Sequence, residues 1–130
     1  MNDFSTALSI AASGMRTQAS RLTHVSENIA NADTPGYRRK LTSFQPDRTP
    51  GAVPGTVAPG RVQLDQTPLP QIYDPSHPLA DSTGHYAGSN VDMVIEVADA
   101  REAQRSYEAN LRVFDQVRQM SSSLNDLLRR

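Results

Sequence analysis

Over residues 1–34 apolar side chains return every seven positions. Leu8, Met15, Leu22 and Ile29 form one row, and Phe4, Ala11, Gln18, Val25 and Ala32 form a companion row offset by three. Two such rows make the narrow stripe of a helix that packs on other helices. The pattern predicts an N-terminal helix roughly 40 Å long, at about 1.5 Å per residue. Gly14 interrupts it at a cost of about 1 kcal/mol against alanine. Ala11, Gln18 and Ala32 leave the companion row short of bulk, so this helix is expected to be marginal alone in water.

A second periodic segment occupies residues 89–130. Tyr107, Leu111, Phe114, Val117, Leu124 and Leu128 mark its apolar side, and Val113, Met120 and Leu127 widen it. That stripe exceeds one coiled-coil seam, so the helix is expected to touch more than one neighbour. Its start is predicted near "SNVD", with Ser89 or Asn90 as cap and Asp92 and Glu96 favouring the positive end of the dipole. Arg129 and Arg130 close the far end. Glu108–Arg112 and Asp126–Arg130 have the spacing and orientation of supporting ion pairs.

Between the two periodic segments the pattern dissolves. All nine prolines lie between Pro35 and Pro78. Proline inside a helix costs about 3 kcal/mol, so the middle forbids what the ends permit. Three segments follow: an N-terminal helix at 1–34, a Pro/Gly-rich middle at 35–88 and a C-terminal helix at 89–130. The fold class is mainly α, two long helices packed as a coiled-coil-like pair around an irregular middle. "KLTSF", "GRVQLDQ" and "LPQIYD" are strand-like, but Pro68 and Pro70 confine their surroundings to edges or irregular backbone. At most a small hairpin is expected. "RTPGAVPGTVAPGR" reads as an extended, mobile spacer.

The first junction is sharp. Thr34 precedes proline, which disfavours its α conformation, so the helix should end by Asn31–Asp33. Asn31 tolerates a helix-closing conformation. Pro35-Gly36 suits the two central positions of a type II turn, and Tyr37 places a large ring just beyond it. "NIANADTPGYRRK" therefore reads as a structural joint that redirects the chain. Asn28, Asn31, Thr34, Pro35, Gly36 and Tyr37 are its candidate residues.

Composition narrows the function. With 130 residues, 37% hydrophobic and 5% aromatic, the chain is poor in core-forming side chains compared with roughly 45–50% apolar in globular domains. Thirteen basic and 14 acidic residues leave a net charge of −1, with no long-range pull toward nucleic acid or anionic lipid. No cysteine is present, which excludes disulfides, thiolate metal sites and a cysteine nucleophile. No apolar run reaches the 18–20 or so residues of a membrane span. "MNDFSTALSIAASGM" lacks the basic and apolar regions of a cleaved secretory signal. A cytoplasmic chain is implied, or one exported with its N-terminus in place.

Reactive chemistry is scarce. Asp74, His77, Asp81 and His85 have spacings that would share a helical face, but Pro75, Pro78 and Gly84 argue against any helix there. A loop gathering two imidazoles and a carboxylate for a metal is the sharper reading, and turn-forming aspartates the plainer one. Arg38, Arg39 and Lys40 suit phosphate or a cell-wall polymer, or more simply solvent or the acidic residues of a neighbour. No nucleophile elbow, phosphate loop or metalloprotease helix is present. No catalytic, cofactor or metal site is assigned. Two helices make a thin core, and apolar surface left over marks a binding surface. Assembly with other chains is thus favoured over a helical hairpin in a small monomer. Leu8, Met15, Leu22, Val25 and Ile29 are expected to pack against Tyr107, Leu111, Phe114, Val117 and Leu124, with Asn110 setting register or remaining solvated.

The same residues carry a family resemblance. "SGM..Q..RL..VSENIANADTPGYRR", from Ser13 to Arg39, resembles the N-terminal signature of the bacterial flagellar axial proteins: rod, hook and hook-associated subunits. "AREAQRSYEANLRVFDQVRQM", from Ala100 to Met120, resembles that family's C-terminal segment. "YDPSHPLAD", followed by "SNVDMVIEV", is similar to a proximal rod subunit in particular. The resemblance implies a non-enzymatic subunit of the basal-body rod in the periplasm, transmitting torque. It implies helices lining a helical tube around the export channel, a middle facing outward, and export by the flagellar type III system without a cleaved signal. Its implied partners are further copies of itself, rod proteins of the FlgB, FlgF and FlgG types and the export apparatus. Another axial subunit is the alternative within the family. A small cell-wall enzyme or binding module using His77 and His85 is the alternative outside it.

Overall fold

The computed structural model describes residues 2–130. In chain order it contains α1 (Asp3–Ala30), β1 (Lys40–Leu41), β2 (Phe44–Pro46), β3 (Val57–Pro59), β4 (Gln63–Leu64), β5 (Gln71–Tyr73), β6 (His85–Ala87) and α2 (Met93–Leu128). The two helices contact each other. They run antiparallel: Phe4 shares a groove with Met120, Leu124 and Leu127, Gly14 meets Asn110, and Arg21 pairs with Asp99. At 28 and 36 residues they are roughly 42 and 54 Å long.

Local chemistry sets their ends. Asn2 Oδ1 accepts from Ser5 N at 2.7 Å and caps α1. At the other end Asn31 donates to the Glu27 carbonyl twice, from its backbone N at 3.1 Å and its side-chain Nδ2 at 2.9 Å. For α2 the cap is Asp92, which accepts from Val94 N at 3.0 Å. This corrects the expectation of Ser89 or Asn90, whose side chains are engaged elsewhere: Ser89 Oγ donates to the Ala32 carbonyl, and Asn90 Oδ1 accepts from Arg39 N.

The middle is more ordered than a lone hairpin. It forms three antiparallel pairs, β1–β4, β2–β3 and β5–β6. Lys40 lies opposite Leu64, Gln45 opposite Ala58, and Ile72 opposite Tyr86. Strands of two or three residues are too short to show alternation, which is why the sequence pattern predicts so little here. Prolines are tolerated because each pair is all edge. The segment 48–61 is not a detached spacer either. Its loop closes through Asp47 N to the Thr56 carbonyl at 2.9 Å, Thr56 is buried, and Val57 N donates to Ser13 Oγ of α1 at 3.0 Å.

Ala11, Val25 and Ala103 are the buried apolar residues, and the largest fully buried side chains are Glu96, Asn28, Thr17 and Ser13. The centre is thus small-residue and polar, while Met93, Val94, Leu111, Val113, Met120, Leu124, Leu127 and Leu128 stay exposed along α2. The expected Glu108–Arg112 and Asp126–Arg130 pairs are not among the ion pairs of the described residues. On an open helix surface, solvation competes with such pairing.

Candidate functional site

The joint after α1 folds back against the base of α2, and Asn28 holds it there. Its Nδ2 donates to the Lys40 carbonyl at 3.1 Å and to Glu96 Oε2 at 3.2 Å. Its Oδ1 accepts from Lys40 N and from the Tyr37 hydroxyl, each at 2.9 Å. Both amide hydrogens and both lone-pair directions are used, so the 1% exposed side chain is fully satisfied.

The chain reaches Asn28 through the turn at Pro35-Gly36. Tyr37 N donates to the Thr34 carbonyl at 3.2 Å, and Gly36 has φ of 75°. That is the left-handed conformation a type II turn demands of its third residue, and it favours glycine. Gly36 N also donates to the Ala87 and Gly88 carbonyls, at 3.1 and 3.2 Å. Thr34 Oγ1 bonds Asn31 Oδ1 at 3.1 Å. Burial raises the Tyr37 phenol above its ordinary pKa, so it stays a hydrogen-bond donor at neutral pH.

The basic triplet behind the turn is spent inside the chain rather than on solvent or a neighbour. Arg39 donates from Nε to Glu96 Oε1 and from Nη2 to Asp99 Oδ2 at 2.7 Å. Asp99 also accepts from Arg21 of α1 at 3.3 Å. Glu96 is wholly buried, and a charge in that position needs such partners because desolvation costs several kcal/mol per ion. Arg38 Nη1 donates to the Asp65 and Thr67 carbonyls at 3.2 and 3.3 Å, beside Asn90 Nδ2. Lys40 Nζ pairs with Glu27, holding that carboxyl below its ordinary value of 4.5 and raising the lysine above 10.5. The Glu27 contribution is therefore present above about pH 4.5 and lost as pH falls through its lowered value. The Lys40 contribution is present below 10.5 and lost as pH rises through its raised value. Both groups are solvent-accessible, so salt screens the pair.

The residues singled out for helix packing divide by size. Val25 is buried with Ala11 and Gln18 of the companion row, whereas Leu8, Met15, Leu22 and Ile29 are half-buried. Across from them Tyr107, Phe114 and Val117 are half-buried, and Leu111 and Leu124 are exposed. Leu8 and Phe114 line one groove, Phe4 and Leu124 another. Asn110 stands where a Cβ on Gly14 would lie 2.8 Å from its Nδ2. The helices therefore approach on small residues, and the large ones flank the contact.

His77 and His85 do not converge. His77 stacks on Tyr86 with ring centroids 3.9 Å apart, and His85 tilts against Tyr73 at 5.1 Å. Asp74 and Asp81 organise turns, accepting from the hydroxyl and N–H of Ser76 and Thr83. Among the described residues no group of three or more His, Asp or Glu is placed to hold a metal ion, and no helix is long and apolar enough to cross a membrane.

Asn28 and Tyr37, named from the sequence as candidates for the joint, bond to each other and stand in one network with Arg39, Asn90, Glu96 and Asp99, which the sequence reading did not connect to it. The only available signal was a glutamate inside an otherwise apolar helix start, "MVIEV".

Comparison with known proteins addresses both ends of the chain. Residues 1–38 match the family described as flagella basal body rod protein, and residues 82–127 match the flagellar basal body rod FlgEFG protein C-terminal family. The chain is 43% identical to the flagellar basal-body rod protein FlgC of Agrobacterium fabrum, over 99% of this chain and 98% of that one. It is 38% identical to FlgC of Salmonella typhimurium, over 85% of this chain and 87% of the relative, and 31% identical to FlgC of Buchnera aphidicola from Acyrthosiphon pisum, over 85% and 88%.

Proposed function

The chain belongs to the flagellar basal-body rod protein family, and from that premise we propose that it builds the proximal part of the rod. It is a structural subunit of the basal body and not an enzyme. In the proposed role, copies pack with one another and with rod proteins of the FlgB, FlgF and FlgG types into a helical tube that encloses the export channel and transmits torque across the periplasm. The subunit arrives through the flagellar type III system.

One observation carries this reading. The helical pair is latched at one end by the polar network around Asn28, yet most large apolar side chains of α2 stay exposed, Leu127 at 64% and Leu128 at 78%. A latched hairpin with that much open apolar surface suits lateral packing between subunits. Leu8, Met15, Leu22, Val25, Ile29, Tyr107, Leu111, Phe114, Val117 and Leu124 form the proposed set for helix packing and assembly, with buried Val25 serving the packing within one copy. Asn28, Asn31, Thr34, Pro35, Gly36 and Tyr37 form the proposed joint that holds its geometry.

Electron microscopy of basal bodies from a strain lacking the gene tests the proposal. The expected particles keep the inner-membrane ring and lack a completed rod and hook, and the intact gene restores both. Complete rods in the deletion strain would defeat the assignment.

A further inference from the structure

Two exposed features of the chain have complementary shape and charge. The first is a shallow, open groove of about 790 Å³ along the N-terminal half of α2, lined by Met93, Val94, Val97, Ala98, Arg101, Glu102 and Arg105; Glu102 is turned to Arg21 of α1 at 3.4 Å. Its apolar floor is open, with Val94 78% exposed. Arg101 and Arg105 are exposed and take part in none of the ion pairs among the described residues. With Glu102 paired to Arg21, two arginines that have no ion-pair partner among the described residues stand beside bare apolar surface, which suits an occupant that is apolar and anionic together.

The second feature has that character. The β5–β6 turn projects Tyr73, 67% exposed, and Leu79, 64% exposed. Asp74, half-buried, follows Tyr73, and exposed Asp81 lies two positions after Leu79. In each aspartate one oxygen, Oδ1, accepts the turn's own hydrogen bonds, leaving Oδ2 without a partner among the described residues. Hydrogen bonds from the Ser76 and Thr83 hydroxyls hold the two carboxyls below their ordinary pKa, so both are anionic at neutral pH. Leu79 and Val94 are both open within one chain, so neither covers the other.

We propose that the β5–β6 turn of one copy docks in the α2 groove of the next, Leu79 on the Val94–Val97 floor and Asp74 and Asp81 facing Arg101 and Arg105. The inference rests on the rod-subunit reading and adds to it a specific contact. Groove and turn are different surfaces of the same chain, so the contact is heterologous and repeats without closing on itself, the geometry a helical assembly requires. The apolar contact supplies the burial, and the charges set orientation and register.

The chain is free of cysteine, which makes disulfide trapping clean. Leu79→Cys and Val94→Cys copies, distinguished by a size tag, are produced together in flagellated cells, and their purified basal bodies are oxidised. A mixed disulfide between the two is expected. Arg101→Glu combined with Arg105→Glu should lower its yield about ten-fold, as expected when two attractive charge pairs become repulsive. Ser82→Lys, beside Asp81, should recover part of it, since it offsets one of the two turn carboxylates. Both variants present at normal level without a mixed disulfide would overturn the docking and leave the rod reading standing. Absence of the tagged, unsubstituted chain from basal bodies would defeat the rod reading instead. Should either cysteine variant be excluded from the particles, the purified chains are mixed and oxidised in solution, where no mixed disulfide again overturns the contact.

Discussion

Asn28 makes four hydrogen bonds to groups from three parts of the chain: the turn at Tyr37, the backbone of Lys40 and Glu96 of α2. Only an amide offers two donors and a twice-accepting oxygen at that point. Asn28→Ala would leave several buried polar groups without partners, at roughly 3 kcal/mol, a melting temperature lower by about 10 °C in a chain of this size. Asn28→Asp is isosteric and should be worse at neutral pH, because it points a second carboxylate at buried Glu96. Repulsion between the two carboxylates is expected to raise the pKa of the introduced carboxyl in the folded variant. The excess destabilisation is therefore full above that raised value, and vanishes as pH falls toward the unfolded value of about 3.9. Thermal melts of both variants between pH 4 and 8 check this. An aspartate variant whose deficit does not shrink toward acid pH would contradict the placement of Glu96.

Between the two helices, small residues decide how close the elements come. Gly14 reads in isolation as a flaw in α1, and replacement by alanine should gain about 1 kcal/mol from helix propensity. The structure reverses that sign, because the added methyl carbon would lie 2.8 Å from Asn110 Nδ2 and 3.1 Å from its Cγ. Asn110 is held by its own bond to the Ser106 carbonyl at 3.0 Å. Gly14→Ala should therefore destabilise the chain by about 1–3 kcal/mol as an overpacking change, and should become neutral or stabilising in an Asn110→Ala background. A double-mutant cycle by urea denaturation measures the coupling. Both helices and the turn at Pro35-Gly36 were legible from the sequence, because proline exclusion, heptad spacing and turn chemistry are local signals. The Arg39–Glu96 pair was not, since 57 residues separate its members and neither flank announces the other. The strand pairs were hidden by their length. The docking of residues 48–61 on α1 was hidden because composition reports a spacer's freedom and not its partner: Ser13 Oγ, which receives Val57 N, is one serine among many.

The whole molecule separates what holds one copy together from what remains for others. Its interior is built from Ala11, Val25 and Ala103 around buried Asn28 and Glu96. Its bulky apolar side chains lie on the flanks and along the exposed face of α2, from Met93 to Leu128, which a single copy does not cover. Stability of the monomer and competence to assemble should therefore respond to different substitutions. Val25→Asp puts a charge on a residue 5% exposed and should unfold the hairpin, seen as loss of helical circular dichroism at 25 °C. Leu127→Asp acts where the side chain is 64% exposed. It should leave the purified chain's melting temperature within about 2 °C of the parent, as surface changes do. In cells the same variant should be made and stay soluble, yet be missing from purified basal bodies and fail to restore motility to the deletion strain. Normal incorporation of the Leu127→Asp chain would show that the exposed stripe of α2 is not the packing surface, however well the latch at Asn28 is made.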